Sequence, residues 1–173
     1  MNQIKICKKC VMDTTDPNII FDQTGVCNYC NNFEKNIAPY WRIINNKNSL
    51  SKIIKKIKSL SEGKEYDCII GVSGGVDSSY LLHLAVKEFN LRPLVYHVDT
   101  GWNSQVAVEN IEKILDKLNL ELHTEVIYWP EMRDLQLSFF KSNVPHLDTP
   151  QDHAIFASLY NYCNTNKIKT ILN

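Results

Sequence analysis

The stretch that decides the fold is Ser73-Gly-Gly-Val-Asp-Ser-Ser79. It follows the apolar run Asp67-Cys-Ile-Ile-Gly-Val72 and precedes the helical pattern Tyr80-Leu-Leu-His-Leu-Ala-Val86, so a strand is predicted to turn directly into a helix. The two glycines let the backbone approach an anion, and the first N–H groups of the helix have no partner within it. Because the helix dipole also favours negative charge there, the stretch predicts a phosphate-binding loop.

Two common phosphate motifs do not match this loop, since no lysine follows the glycines and the third glycine of the dinucleotide fingerprint is absent. The loop instead resembles the pyrophosphate loop (PP-loop) of ATP pyrophosphatases, Ser-Gly-Gly-x-Asp-Ser. Members of that superfamily cleave ATP to AMP and pyrophosphate and use the adenylate to activate a carbonyl oxygen. The alternative is a Gly/Ser-rich turn that only connects strand to helix. The resemblance implies that ATP is bound by Ser73, Gly74, Gly75, Val76, Asp77, Ser78 and Ser79.

Strand and helix patterns alternate from Asp67 onward. We predict strands at 67–72, 93–98, 122–127 and 168–172, and helices at 77–89, 104–118, 131–142 and 150–165. Thr149 is the predicted N-cap of the last helix. This alternation predicts an α/β domain with a parallel sheet, whose strand-to-helix loops all lie at one edge. Ligands of such sheets bind at that edge.

Two acidic residues are predicted to lie at this ligand edge, Asp77 in the first turn after the loop and Asp99 at the end of the second strand. We expect Asp77 to hold Mg²⁺ or to order the phosphates, and Asp99 to help hold Mg²⁺, which takes one or two carboxylates together with phosphates and water. Asp99 has further candidate partners in a ribose hydroxyl and the adenine amino group. The structural alternatives are an acid that complements the helix dipole at Asp77 and an N-cap at Asp99 for a helix beginning near Ser104. Trp129, after the third strand, either packs on the sheet or lines a pocket.

Four of the six cysteines form two Cys-x-x-Cys pairs, Cys7/Cys10 and Cys27/Cys30, with 16 residues between them. This spacing predicts a tetrahedral Zn²⁺ site with four thiolates. Residues 19–26, between the pairs, predict the two-stranded hairpin of a zinc ribbon. The zinc is expected to be structural because four thiolates leave no open coordination position. An iron–sulfur cluster and disulfides are the alternatives.

The predicted organisation is a small metal module followed by the α/β domain. Residues 1–48 comprise the zinc ribbon and an Asn-rich connector at 31–48, and residues 49–173 form the PP-loop ATP-binding domain. That domain begins with an amphipathic helix capped by Ser49.

The amino-acid composition indicates which kinds of partner and which compartment to expect for the chain. Lys+Arg and Asp+Glu are both 19, which gives a net charge of zero and argues against a nucleic-acid partner. No apolar stretch approaches the ~20 residues that span a bilayer, and no apolar signal region follows Met1. We therefore expect a cytoplasmic protein without a membrane span, in which cysteines stay reduced.

Five segments together resemble the N-acetyl sugar amidotransferases of bacterial surface-polysaccharide synthesis, which includes O-antigen and lipopolysaccharide. They are Cys7-Lys-Lys-Cys-Val-Met-Asp-Thr-Thr-Asp-Pro17, Phe21-Asp-Gln-Thr-Gly-Val-Cys-Asn-Tyr-Cys30, Gly71-Val-Ser-Gly-Gly-Val-Asp-Ser-Ser-Tyr80, Val98-Asp-Thr-Gly-Trp-Asn103 and Asp148-Thr-Pro-Gln-Asp-His-Ala-Ile-Phe-Ala157.

The resemblance implies that ATP adenylates the acetamido oxygen of a nucleotide-linked N-acetyl sugar. Ammonia from a separate glutaminase partner would then displace AMP. Members of that family are about twice as long, so we expect a truncated or split member whose C-terminal part is missing and whose acceptor site is largely absent. The alternatives are a PP-loop enzyme of tRNA thiolation and a catalytically incomplete nucleotide-binding subunit.

Overall fold

The computed structural model describes residues 4–40 and 47–173. The chain forms two compact units, Met1–Ile53 and Ile54–Asn173. Within the described ranges, no helix combines the length and the apolar character that crossing a membrane requires.

The first unit is built from turns around the cysteines and a short helix. Single antiparallel bridges join Ile6 to Asp13 and Phe21 to Cys27, and helix α1 (Asn28–Asn32) continues into a π-helical turn, Phe33–Ile37. The predicted ribbon hairpin is therefore reduced to isolated bridges. Its tip is held by the Asp22 carboxylate, which accepts hydrogen bonds from backbone N–H groups that a longer ladder would use.

The second unit confirms the α/β class, since its four strands form one parallel sheet in the order β3-β2-β1-β4. Helix α2 (Lys47–Leu60) precedes the sheet in the chain. The elements that follow it are, in chain order, β1 (Cys68–Gly71), α3 (Val76–His83), a π-helical turn (Leu84–Glu88), β2 (Pro93–Asp99), α4 (Gln105–Leu118), β3 (Leu122–Val126), α5 (Trp129–Lys141), α6 (Thr149–Thr165) and β4 (Ile171–Leu172).

Several predicted element ends are wrong by a few residues. Helix α2 begins at Lys47, so Ser49 lies inside its first turn and not at its cap. Helix α6 begins at Thr149 after Asp148, and the Thr149 hydroxyl donates to the carbonyl oxygen of His146. Strand β4 is only two residues long, because it pairs only with Ile69 and Ile70 of β1.

Apolar side chains cover both faces of the sheet. One face packs Cys68, Ile70 and Val95 against buried residues of α3 and α4, and the other packs Ile69 and Tyr96 against α6. These strands are buried on both faces, as expected of a parallel sheet. The register pairs Gly71 with Tyr96, so the segments that leave the carboxyl ends of β1 and β2 lie side by side.

Candidate functional site

The loop after β1 is held against helix α4. Gly74 has a positive φ of +75°, and a Cβ there would overlap the backbone of Ala107. The side-chain amide of Asn110 donates to the Gly74 carbonyl oxygen at 3.1 Å. Only glycine fits this position, because both the conformation and the contact exclude a side chain.

Serine hydroxyls organise the rest of the loop. The Ser78 hydroxyl accepts from the backbone N–H of Ser73 at 3.2 Å and lies 3.3 Å from the Ser73 hydroxyl. Gly75 is the N-cap of α3 and provides no side-chain cap, so the first N–H groups of α3 have no side-chain acceptor at the cap. An anion bound there would satisfy these donors and interact favourably with the helix dipole.

A buried histidine joins the two adjacent loops. His97 Nδ1 lies 2.8 Å from the carbonyl oxygen of Val72, and Nε2 lies 3.0 Å from the side-chain nitrogen of Asn103. A carbonyl only accepts, so Nδ1 carries the proton and Nε2 accepts from the Asn103 amide. His97 thus links the residue before the phosphate loop to the side chain of Asn103.

A cavity of about 340 Å³ opens beside the loop, within the second unit. Ser73 and Ser78 line it, together with His97 and Asn103. Among the residues that the structure describes, none of those lining it is Asp, Glu, Lys or Arg. A separate concavity is lined by Lys113 and Lys117 together with Gly74, Gly75, Val76 and Ser79. Six of the seven predicted loop residues therefore divide between two surfaces, and Asp77 lines neither of them.

The two predicted acids differ in their surroundings, and neither lines the 340 Å³ cavity. Asp77 is exposed in the first turn of α3. Asp99 accepts a 2.8 Å hydrogen bond from the backbone N–H of Gly101. Ser104 itself caps α4 by accepting from the N–H of Ala107, so Asp99 is not the N-cap.

The four predicted cysteine ligands come together in the first unit. The sulfur atoms of Cys7, Cys10, Cys27 and Cys30 all lie within 4.8 Å of one another, and those of Cys10 and Cys27 are 3.7 Å apart. Thiolates around a tetrahedral Zn²⁺ are about 3.8 Å apart. The donor set therefore fits zinc, and all four cysteines are free of disulfides.

Hydrogen bonds to sulfur support a thiolate in this cluster. Burial raises the pKa of Cys7, but the backbone N–H groups of Lys9 and Cys27, each 3.3 Å from its sulfur, outweigh burial and lower the pKa to about 6. The neighbouring Cys10 thiol, followed by burial, raises the pKa of Cys30 to about 12. Four ionised thiols at this spacing repel one another, and a bound cation would offset that repulsion.

Sequence reasoning overlooked three residues that shape the site. His97 lies near the end of β2 and Asn103 in the segment after it, so both belong to the ligand edge that the predicted parallel sheet indicated. Asn110 carried no signal, because its contact with Gly74 spans 36 residues of sequence.

A phosphate loop that connects a buried parallel strand to a helix, as residues 73–79 connect β1 to α3, is typical of the PP-loop class of α/β proteins. The family model of the phosphoadenosine phosphosulfate reductase domain matches residues 67–170, more than half of the chain. The chain therefore belongs to this domain family, which confirms the PP-loop ATP pyrophosphatase superfamily indicated by residues 73–79.

Two relatives share part of the sequence. An uncharacterized protein of Methanocaldococcus jannaschii is 30% identical over 121 residues, which cover 69% of this chain and 40% of the relative. One of the subunits of the glutamine-hydrolyzing GMP synthase of Methanosarcina acetivorans is 37% identical over 73 residues, which cover 42% of this chain and 23% of the relative. The matched region thus spans less than half the length of either relative.

Solved structures with a similar backbone include two synthetases. The NH3-dependent NAD synthetase of Campylobacter jejuni has a TM-score of 0.47 and 18% identity, and the similarity covers 70% of this chain and 52% of that one. The NMN synthetase of Francisella tularensis has a TM-score of 0.47 and 20% identity, with the same coverage.

Proposed function

We propose that the second unit binds MgATP at the phosphate loop and transfers AMP to an amide oxygen. The observation that carries this proposal is the Ser73–Ser79 loop, in which two glycines and three serines surround the uncapped start of α3. The proposed hydrogen-bond donors to the phosphates are the backbone N–H groups of Gly75, Val76 and Asp77 and the hydroxyls of Ser73, Ser78 and Ser79. Gly74 keeps the loop in place against α4.

Asp77 and Asp99 are the proposed magnesium ligands. The Asp77 carboxylate has no hydrogen-bond or ion-pair partner among the described residues, so it is available to a cation beside bound phosphates. Asp99 keeps one carboxylate oxygen that accepts no hydrogen bond from the described residues. Mg²⁺ bound there would neutralise charge on the phosphates as pyrophosphate leaves.

The proposed reaction converts a sugar acetamido group into an acetamidino group. The acetamido oxygen attacks the α-phosphorus of ATP and pyrophosphate leaves. Ammonia then attacks the carbonyl carbon of the adenylated acetamido group, AMP leaves with the former amide oxygen, and a proton is released. The donors of the phosphate loop stabilise the departing pyrophosphate, which is where negative charge develops.

The substrate and the ammonia source belong to the same proposal. We assign the substrate to the nucleotide-linked N-acetyl sugars of O-antigen, lipopolysaccharide or nonulosonate synthesis, on the resemblance of the five segments that extend from Cys7 to Ala157. The ammonia comes from a separate glutaminase, and the similarity to a subunit of a glutamine-hydrolyzing GMP synthase supports this partner. The cysteine cluster holds a structural Zn²⁺ in a module at residues 1–48, and residues 49–173 form the ATP-binding domain.

Isotope transfer tests the proposed reaction. The chain is supplied with MgATP, ammonium chloride and an N-acetyl sugar nucleotide whose acetamido oxygen is ¹⁸O. We expect the label to appear in AMP, because the amide oxygen leaves on the phosphorus. The matched control is the same sugar nucleotide with a free amine, which should give no AMP. Unlabelled AMP formed at equal rates with both sugars would contradict sugar adenylation.

A further inference from the structure

Trp102 is an exposed aromatic residue whose ring is held in a fixed orientation. It is 56% exposed, yet its indole N–H donates to the side-chain oxygen of Gln136, which is 6% exposed. The ring of Trp129 meets it edge-on, with centroids 5.6 Å apart and planes at 77°. An indole that is fixed on two sides but still faces solvent loses little entropy when a ligand stacks on it.

The backbone conformation at Gly101 allows this arrangement of the Trp102 and Trp129 rings. Gly101, which precedes Trp102, has a φ of +89°, and a Cβ on it would overlap the ring of Trp129. The turn that holds Gly101 is closed by Asp99, at the end of β2. Trp129 therefore packs on Gly101 and supports Trp102.

Trp102 also lines the 340 Å³ cavity that contains Ser73 and Ser78. Phe156 of α6 lines the same cavity and is 42% exposed. The side-chain amides of Asn103 and Gln151 add polar groups to the lining, and the Gln151 amide makes no hydrogen bond with any described residue.

The chemistry of this cavity lining matches that of a sugar ring. A sugar ring has an apolar C–H face, which packs on an aromatic ring, and a rim of neutral hydroxyl and amide groups, which bond to side-chain amides. The cavity suits such a ring, because its lining of described residues offers an indole face and neutral amides without a charged Asp, Glu, Lys or Arg side chain.

We propose that Trp102 is the platform on which the hexose ring of the N-acetyl sugar stacks, with Asn103 and Gln151 bonding its polar rim. The proposal rests on the proposed function and places part of the acceptor site in this chain. A ring on Trp102 lies in the same cavity as Ser73 and Ser78. Its acetamido group would therefore lie on the side of the loop that presents Ser73 and Ser78, two of the proposed phosphate donors.

Binding to a panel of uridine diphosphate N-acetylhexosamines (gluco, galacto and manno forms) tests the platform in the full chain by calorimetry. We expect Trp102→Ala to weaken the best-bound sugar nucleotide at least about tenfold and Trp102→Phe to weaken it less, because the phenyl ring keeps a flat face. Uridine diphosphate alone should bind equally to wild type and Trp102→Ala. The matched control is Tyr160→Ala, which removes a 64% exposed aromatic residue of α6 outside the cavity lining.

The outcomes separate the two proposals. Weakened sugar binding with unchanged MgATP binding in Trp102→Ala supports the platform. Equal sugar binding by wild type and Trp102→Ala overturns the platform alone. Equal losses for MgATP and sugar in Trp102→Ala also overturn it, since the ring would then support the nucleotide or the fold. If wild type binds MgATP but no member of the panel, both the platform and sugar adenylation are wrong.

Discussion

Gly74 lies so close to Ala107 that a single methyl group on its Cα would overlap the Ala107 carbonyl oxygen. The phosphate loop is therefore packed on the first turn of α4, and the Asn110 amide holds it there from the next turn. A loop fixed in this way presents its N–H groups to an anion without a further loss of conformational entropy.

Replacing Gly74 and Gly75 separately tests this packing. Gly74→Ala is expected to destabilise the chain by about 2–4 kcal/mol, because it combines a positive φ with a backbone clash. Gly75→Ala is the matched control, since its φ is −80° and its Cβ would lie 3.4 Å from the Ser73 hydroxyl. Urea unfolding at pH 7 measures both. Equal stability of the two variants would contradict the packing.

Asp77→Asn tests the proposed magnesium ligand. We expect it to weaken ATP binding at least about tenfold in the presence of Mg²⁺ and to leave binding without Mg²⁺ nearly unchanged. Asp99→Asn should have a smaller effect, because one oxygen of Asp99 already closes the turn at Gly101. Glu109→Gln, at a partly exposed position of α4, is the charge-matched control. Equal losses with and without Mg²⁺ would show that Asp77 does not act through the metal.

The cysteine cluster makes a prediction about metal content. Protein purified without a metal-binding tag should contain one equivalent of zinc, and Cys7→Ser should lower that content. Cys163→Ala is the control, because Cys163 is buried beside the sheet and lies outside the cluster. A strong chelator should raise amide hydrogen exchange within residues 4–40, since structural zinc contributes folding energy. Less than half an equivalent of zinc, or stoichiometric iron, would refute a zinc site.

Asp67 makes a prediction about acid stability. It is 6% exposed and accepts hydrogen bonds from Ser61 at 2.6 Å and from the Arg92 guanidinium at 2.7 Å. Burial raises the pKa of Asp67, but the bonds from Arg92 and Ser61 outweigh burial and hold the pKa below its ordinary value. The ionised carboxylate therefore stabilises the fold fully above the unfolded-state pKa of about 3.9, and this stabilisation is lost as the pH falls through the lower folded-state pKa.

The measurement is urea unfolding of Asp67→Asn as a function of pH. We expect a loss of about 2 kcal/mol at pH 7, less than for a fully buried pair because the Arg92 side chain is 57% exposed. The difference from wild type should shrink as the pH falls below about 4. Asp134→Asn, in an exposed pair, should change stability by less than about 0.5 kcal/mol. A difference for Asp67→Asn that stays constant down to acid pH would contradict the assignment.

Much of the fold was predictable because its signals are local. The three apolar runs that became β1, β2 and β3 were placed within about one residue, and the glycine loop is contiguous in sequence. The cysteine cluster was predictable because two Cys-x-x-Cys pairs at this spacing are typical of a four-thiolate metal site.

The remainder depends on contacts between distant residues. Strand β4 is shorter than its apolar run because only Ile69 and Ile70 offer it a partner. The helix predicted at 77–89 changes to a π-helical turn at Leu84–Glu88, which periodicity alone does not reveal. The roles of His97 and Trp102 follow from partners on other elements, Val72 and Gln136. No pattern within their own segments specifies these partners.

Calorimetric titration of the full chain with ATP, with and without Mg²⁺ and then in the presence of inorganic pyrophosphate, tests the central claim most directly. The account predicts saturable, equimolar MgATP binding that pyrophosphate weakens by competition, because both ligands use the N–H groups and hydroxyls of residues 73–79. Absence of MgATP binding, or binding that saturating pyrophosphate leaves unchanged, would contradict it.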